Sequence, residues 1–124
     1  MLPVNREKTD PLSAPAQGSL AELRLNGKRV GRVWVRGTSD SWSWGYFEPE
    51  ESFAEFAPLF GTWSLLMHAE DDSRRQSRAA SEELREIEVA IDGLRSELYW
   101  PQQQRTTRAW QINIDERLVE WKHE

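Results

Sequence analysis

The sequence contains no cysteine, and histidine occurs only twice, as His68 and His123. Without cysteine the chain has no disulfides, zinc–thiolate sites or cysteine nucleophiles. No apolar run approaches the roughly 20 residues that a membrane-spanning helix requires, and residues 1–8 lack the apolar core of a secretion signal. The formal net charge of −5 gives no general attraction to nucleic acid or to anionic lipid. These absences favour a soluble cytoplasmic protein with no cofactor and no membrane partner.

Tryptophan, in contrast, is abundant, with seven among the 124 residues. Each aromatic side chain buries on the order of 150–250 Å². Tryptophans therefore supply much of the apolar area of the single core that a chain of this length can form. Seven indole rings do not fit easily into one small core. Some are expected to stay half exposed, and an exposed aromatic patch is typical of an interaction surface.

The N-terminal residues differ in composition from the rest. Residues 1–18 contain three prolines among small and polar residues and show no periodicity, which predicts a disordered N-terminal arm. Residues 19–124 are expected to form a single α+β domain.

A β-hairpin is predicted over residues 20–35, with its turn at Asn26-Gly27. A two-residue loop would pair Leu25 with Lys28, whereas a three-residue loop would pair Leu25 with Arg29. The longer loop is favoured because it aligns the small and apolar residues of both strands on one face. These residues are Ala21, Leu23, Leu25, Gly31, Val33 and Val35. The opposite, wetter face then carries Arg24, Arg32 and Trp34.

The stretch 42–60 changes from the periodicity of a strand to that of a helix. Its first half alternates, with Trp42, Trp44 and Tyr46 on one side and Ser43, Gly45 and Phe47 on the other. Its second half places Phe53, Phe56 and Phe60 at helical spacing, and Pro58 and Gly61 are expected to end this helix before another begins at Thr62. The two aromatic rows are predicted to meet in the core.

The strongest helical pattern lies between residues 80 and 98, where apolar residues recur in steps of four and three. They are Ala80, Leu84, Ile87, Ile91, Leu94 and Leu98. Whether 62–98 forms one helix or two is open, because 70–78 is polar all round. Residues 102–107 read as a loop, and alternating apolar residues in 108–122 predict a second hairpin that returns to the sheet.

Together these patterns predict an α+β fold with an antiparallel sheet of about five strands, in the order β-β-β-α-α-β-β, and with the helices packed on one face. The predicted core is Leu23, Leu25, Val33, Val35, Phe47, Phe53, Phe56, Phe60, Leu84, Ile87, Ile91, Leu94, Ile112 and Ile114.

The string Trp44-Gly-Tyr-Phe-Glu-Pro49, followed by Phe53 and by Pro58-Leu-Phe60, carries a resemblance. Together with the first hairpin and a closing hairpin that contains Trp121, it resembles a group of short bacterial proteins of unknown function. The resemblance covers most of the chain beyond residue 20. It implies a bacterial protein with a shared fold, and it assigns no activity or site, because the motif residues are apolar or turn-forming.

The candidate catalytic groups each have a simpler interpretation. Glu48, Glu50, Glu51 and Glu55 cluster beside tryptophans, where carboxylates with raised pKa values could cleave a glycosidic bond. Acids at a helix N-terminus also complement its dipole, and this second interpretation is favoured. His68, Asp71 and Asp72 have the helical spacing of metal ligands, but a solvated face is favoured and no metal site is predicted. His123 is expected to fray at the terminus. Ser64 with His68 lacks the motif of a serine hydrolase.

The first hairpin concentrates positive charge near tryptophans, a combination that could stack bases and hold phosphates. The cations are Arg24, Lys28, Arg29, Arg32 and Arg36. Because the whole chain is acidic, nucleic-acid binding is disfavoured. Pairing of these cations with the acids of 82–97 across the sheet is favoured, followed by binding of an acidic protein surface or a partner helix.

The function favoured by the sequence is a non-enzymatic protein-interaction module that uses partly exposed tryptophans and acts as a monomer or weak homodimer. The candidate binding residues are Trp34, Trp42, Trp44, Arg24, Arg32, Glu48 and Glu50. Two alternatives remain open. One is a small enzyme or ligand-binding protein with its site at Glu48–Glu55, and the other is a weak single-stranded nucleic-acid binder through the basic hairpin.

Overall fold

The structure, a computed structural model, describes residues 18–71 and 78–123, with side chains outside 68–81. The predicted N-terminal arm therefore lies outside the described residues, apart from Gly18. Within the described ranges the chain forms seven strands, two α-helices and a short 3₁₀ helix. The first strands are β1 (Leu20–Leu25), β2 (Lys28–Ser39) and β3 (Trp42–Pro49), followed by the 3₁₀ helix Glu51–Glu55. The helices are α1 (Ala57–Asp71) and α2 (Arg78–Asp92). The last strands are β4 (Ser96–Trp100), β5 (Arg105–Arg108), β6 (Trp110–Asp115) and β7 (Leu118–Lys122).

The seven strands form one antiparallel sheet in the order β5-β4-β1-β2-β3-β7-β6. Its two edge strands are consecutive in the chain, because Ala109 alone separates β5 from β6. The sheet is therefore curled, and its edges meet at a seam where the Ala109 N–H donates to the Ser96 carbonyl at 2.9 Å. The α+β class and the antiparallel sheet are confirmed, whereas the predicted five strands are an undercount.

The first hairpin has a shorter loop than predicted. Asn26 and Gly27 have φ values of 54° and 82°, which make a two-residue turn, and Leu25 pairs with Lys28. The three-residue loop was therefore wrong. A bulge then inserts Val30, so that Leu23 pairs with Gly31 as the longer loop would have required. The bulge restores the predicted faces, and the apolar residues of both strands point into the core.

Strand β3 alternates as predicted, since Ser43, Gly45 and Phe47 are buried while Tyr46 is exposed. The two aromatic rows also meet. The Phe47 ring lies 5.0 Å from that of Phe53, edge to face, and the Phe53 ring lies 6.0 Å from that of Phe60. These contacts confirm a shared aromatic interior at the junction of strand and helix.

The helices begin and end at different residues from those predicted. Helix α1 continues through Pro58 and Gly61, because a proline in the first turn leaves no helical hydrogen bond unmade. Helix α2 ends at Asp92, so the expected helix to residue 98 is wrong. Leu98 lies instead in β4 and is fully buried. Leu94 follows the end of α2 and Leu98 lies in β4, so the two residues continue the apolar spacing beyond the helix only because both contact the core.

The core confirms the predicted apolar set. Phe53, Ile87 and Leu94 are partly buried against it, and the other predicted members are buried. It also contains residues of the later strands that were not predicted as core, namely Leu98, Trp100, Val119 and Trp121. Both α-helices contact β6, and the 3₁₀ helix contacts β2. Within the described residues, no helix combines the length and apolar character that crossing a bilayer requires.

Candidate binding surface

The cations of the first hairpin pair with acids of β1, of the end of β3 and of the residues that follow β3. Arg32 Nη2 lies 2.6 Å from Glu48 Oε1, and Arg29 Nη2 lies 2.7 Å from Glu50 Oε2. Lys28 pairs with Glu55, and Arg24 and Arg29 also pair with Glu22. Charge pairing was expected with the acids of 82–97, but the partners are Glu22 and the acids of 48–55. The candidate residues Arg24, Arg32, Glu48 and Glu50 are thus held in ion pairs.

The seven tryptophans divide by exposure as the composition suggested. Trp121 and Trp100 are buried, and Trp63 packs against the core. Trp42 and Trp44 are half-buried. Trp34 and Trp110 are exposed at 39% and 40%. Of the three candidate binding tryptophans, Trp34 therefore offers the most free surface.

Trp34 belongs to a line of side chains that crosses the outer face of the sheet. The strand register pairs Leu20 with Trp34, Trp34 with Tyr46, and Tyr46 with Leu118. Directly paired residues lie about 4.5–5.5 Å apart at Cβ, so their side chains form one contiguous row. Tyr46 is 40% exposed and Leu118 is 53% exposed. We call Leu20, Trp34, Tyr46 and Leu118 the outer row.

Trp44 lies beside the outer row and is held flat against the neighbouring strand. A Cβ on Gly37 would lie 2.5 Å from the Trp44 ring, so the absence of a side chain at Gly37 makes room for the indole. Trp44, Tyr46 and Leu118 line a shallow cavity of about 470 Å³. The outer row therefore borders a depression rather than a flat surface.

Two arginines line the same cavity. Arg117 Nη1 donates a hydrogen bond to the Tyr46 hydroxyl at 2.9 Å, and its guanidinium lies 6.0 Å from the ring centroid. Arg36 is exposed. Among the described residues neither arginine forms an ion pair, unlike Arg24 and Arg32. Asp115 and Glu116 also line the cavity, and Asp115 accepts a hydrogen bond from Ser64 Oγ at 2.7 Å.

His123 is buried rather than frayed, so that prediction was wrong. Its backbone N–H donates to the Ser41 carbonyl at 2.8 Å, and its Nδ1 lies 2.7 Å from Ser43 Oγ. Burial lowers the pKa of His123, while a hydrogen bond with the Asp40 backbone opposes the shift. Ser43 is fully buried, so this pair serves packing rather than nucleophilic catalysis.

No group of three or more potential metal ligands occurs among the described residues. The spacing of His68 with Asp71 and Asp72 lies outside the described side chains.

The sequence did not single out Tyr46, Leu118 or Arg117 as site residues. In the sequence, either Leu118 or Val119 could share the buried face of β7 with Trp121, and the structure buries Val119. The pairing of β3 with β7 brings Tyr46 and Leu118 together across more than seventy residues of chain, a contact for which local periodicity gives no signal.

Comparison with known protein families, with curated proteins and with solved structures gave no match. The resemblance to short bacterial proteins therefore stays a prediction.

Proposed function

We propose that this protein is a non-enzymatic interaction module that binds another protein through the outer row. The observation that carries the proposal is the line of exposed apolar side chains across adjacent strands, with Trp34, Tyr46 and Leu118 in direct register. Tryptophan, tyrosine and arginine are the residue types most enriched where protein interfaces gain their binding energy. A bacterial source, a cytoplasmic location and a monomeric or weakly dimeric state stay predictions.

The partner proposed for this surface is a protein segment that presents an apolar side chain flanked by carboxylates. The apolar side chain would fill the depression beside Trp44 and Tyr46. Arg36 and Arg117 border that depression and have no acidic partner among the described residues, so they are available to a carboxylate. An arginine binds a carboxylate with two parallel hydrogen bonds, which adds specificity as well as affinity.

The ion pairs of the first hairpin count against both alternative functions. A general acid at Glu48 or Glu50 would have to leave Arg32 or Arg29. A nucleic-acid backbone would have to compete with the same carboxylates for the same cations. Neither alternative has an additional observation in its favour.

The experiment is a selection of peptides from a random displayed library on the immobilised full chain. The expected peptides carry an aromatic or aliphatic residue next to aspartate or glutamate. Trp34→Ala should weaken the binding of the selected peptides at least about tenfold, because truncation of a central aromatic residue at an interface commonly costs more than about 1.4 kcal/mol. Arg117→Gln should weaken acidic peptides and leave their neutral analogues unchanged.

The matched control is Val89→Ala, which truncates an apolar side chain that is 66% exposed on α2, outside the outer row. The proposal would be contradicted by peptides that bind the wild type and Trp34→Ala equally, or by selection of basic peptides. Self-association of the wild type that Trp34→Ala abolishes would identify a second copy as the occupant and would also contradict the proposed partner.

A further inference from the structure

Two depressions lie side by side where the first residues of β3 and β6 meet the end of β7. One, of about 250 Å³, is lined by Trp42, and the other, of about 430 Å³, is lined by Trp110. Gln111 lines both, so the depressions are neighbours, and we call the pair the trough. Gln111 has a left-handed φ of 49°, and the β6–β7 register shifts there. Such bulges re-aim side chains and are over-represented next to active sites.

The two tryptophans lie on the same face of the sheet. Lys122 of β7 is paired with Trp42 on one side and with Trp110 on the other. Paired residues point to the same face, and adjacent strands are about 4.8 Å apart, so the two tryptophans are roughly 10 Å apart at Cα. The Arg108 guanidinium lies 4.2 Å from the Trp110 ring centroid and holds that ring in place, while Trp110 stays 40% exposed. The trough therefore contains two separate aromatic platforms.

Polar side chains of both charges surround the two platforms. They are Glu88, Asp92 and Asn113 in the depression of Trp42, and Ser41 and Lys122 in the depression of Trp110. Glu88 and Asp92 are one turn apart on α2, so both carboxylates lie on the same side of the helix. Among the described residues, none of Glu88, Asp92 and Lys122 forms an ion pair, unlike the cations of the first hairpin. The trough therefore offers both donors and acceptors of hydrogen bonds.

The mixture of charges favours an uncharged ligand. A nucleic-acid strand could stack bases on the tryptophans, but its phosphates would face Glu88 and Asp92. A basic peptide could pair with these acids, but it would face Lys122. A ligand with many hydroxyl groups avoids both conflicts, because each hydroxyl donates and accepts hydrogen bonds. A sugar ring with equatorial substituents also has a flat apolar face of C–H bonds, which suits the face of an indole ring.

We propose that the trough binds an oligosaccharide whose hexose rings are joined through equatorial bonds. One sugar ring packs on Trp42 and another ring of the same chain packs on Trp110, while the amide of Gln111 bonds hydroxyl groups between them. Equatorial linkage keeps the chain extended, as two platforms roughly 10 Å apart require. The trough contains no residue of the outer row, so sugar binding and the binding of a protein partner are separate properties of the chain.

The test is titration of the full chain with cellotetraose and with chitotetraose, followed by amide and indole Nε1–H NMR shifts. Both sugars are equatorially linked, and they differ in the acetamido groups. At least one should bind saturably with a Kd on the order of 1 mM or tighter. Shifts should centre on Trp42, Trp110 and Gln111. Glucose should bind at least tenfold more weakly, because it fills only one depression. Tetralysine and tetrathymidylate should give no saturable shifts at these residues.

Variants connect the binding to the two platforms. Trp42→Ala and Trp110→Ala should each weaken the tetrasaccharide at least about tenfold, as truncation of a central aromatic residue commonly does. Trp42 is half-buried, so Trp42→Phe, which keeps an aromatic face, tests the same site if Trp42→Ala does not fold, and it should weaken binding less. Gln111→Ala should also weaken binding. The matched control is Gln103→Ala, which changes an exposed glutamine between β4 and β5 and should leave binding unchanged.

Three results would overturn the proposal. One is the absence of saturable binding by both tetrasaccharides. Another is binding of tetralysine or tetrathymidylate at the trough more tightly than either sugar. The third is sugar binding that the folded variants of Trp42 and Trp110 leave unchanged, which would place the sugar elsewhere on the protein.

Discussion

Two regions of the sheet differ in whether their polar groups have partners. One is the corner where β1, β2 and β3 meet, and the other is the seam between β4 and β6. At the corner, Arg29 and Arg32 lie in ion pairs with Glu50 and Glu48. The strands are so close that a Cβ on Gly31 would lie 2.4 Å from the Glu48 carbonyl oxygen. At the seam, Ser96 Oγ and Arg108 Nε are buried and have no hydrogen-bond partner among the described residues.

The difference shows that a cluster of charges in the sequence does not identify the polar groups that lack a partner in the fold. In the sequence, the corner is the conspicuous region, because cations and acids cluster there within short stretches. The structure brings opposite charges together, and exposed ion pairs of this kind contribute only about 0–1 kcal/mol each. The seam is inconspicuous in the sequence, yet it contains the groups for which the described chain supplies no partner.

The largest effect is expected from Gly31→Ala at the corner. The added methyl group would overlap both the Glu48 carbonyl and the Phe47 ring, so β2 and β3 must separate. We expect the free energy of unfolding to fall by on the order of 3 kcal/mol or more, measured by urea denaturation. The control Gly61→Ala has no atom within 4 Å of the new Cβ and lies inside α1, so it should raise stability by about 0.5–1 kcal/mol. Equal tolerance of both changes would contradict the close packing of the corner.

An intermediate effect is expected from the two buried serines, one with a partner and one without. Ser43→Ala removes the partner of His123 Nδ1 and should lower the free energy of unfolding by about 1–3 kcal/mol. Ser96→Ala makes the same chemical change at a hydroxyl without a described partner and should cost nothing. Thermal unfolding of the two variants side by side compares them directly. An equal loss at both positions would remove the distinction between the two regions.

The smallest effect is expected from pH. Because burial lowers the pKa of His123 in the folded state, the unfolded chain binds this proton more readily. The contribution of His123 to stability is therefore complete above the unfolded pKa of about 6.5 and is lost as the pH falls through 6.5 toward the folded pKa. Urea denaturation between pH 7.5 and 5.5 should show this decline, and His123→Gln should flatten it. An unchanged slope in the variant would mean that other groups cause the decline.

The corner was largely predictable from the sequence because its signals are local. Asn26-Gly27 fixes the turn, and alternation assigns each residue of β2 and β3 to a face. Only the loop length was wrong, because a turn with two left-handed residues is compatible with the apolar faces once Val30 bulges out of the ladder. Trp34 was identified as exposed by the same alternation.

The seam was not predictable for two physical reasons. The residues of β5, Arg-Thr-Thr-Arg, carry no apolar alternation, because the strand is short and lies at the sheet edge. The C-terminal end of α2 could not be located from the sequence, because Leu94 and Leu98 continue the apolar spacing beyond the last helical residue, Asp92. The neighbours of Trp34 in the outer row depend likewise on the pairing of β3 with β7, which no local pattern encodes.

The meeting of β5 and β6 at Ala109 also limits how other chains can attach. A free strand edge invites another strand to add to the sheet by backbone hydrogen bonds, and natural proteins shorten or cover such edges. Here β5 has four residues, and β6 is contacted by both α-helices. The edge strands therefore offer few backbone groups to which a strand of another chain could pair. A partner is left to recognise side chains, which makes its selectivity depend on residue identity rather than on the backbone that all proteins share.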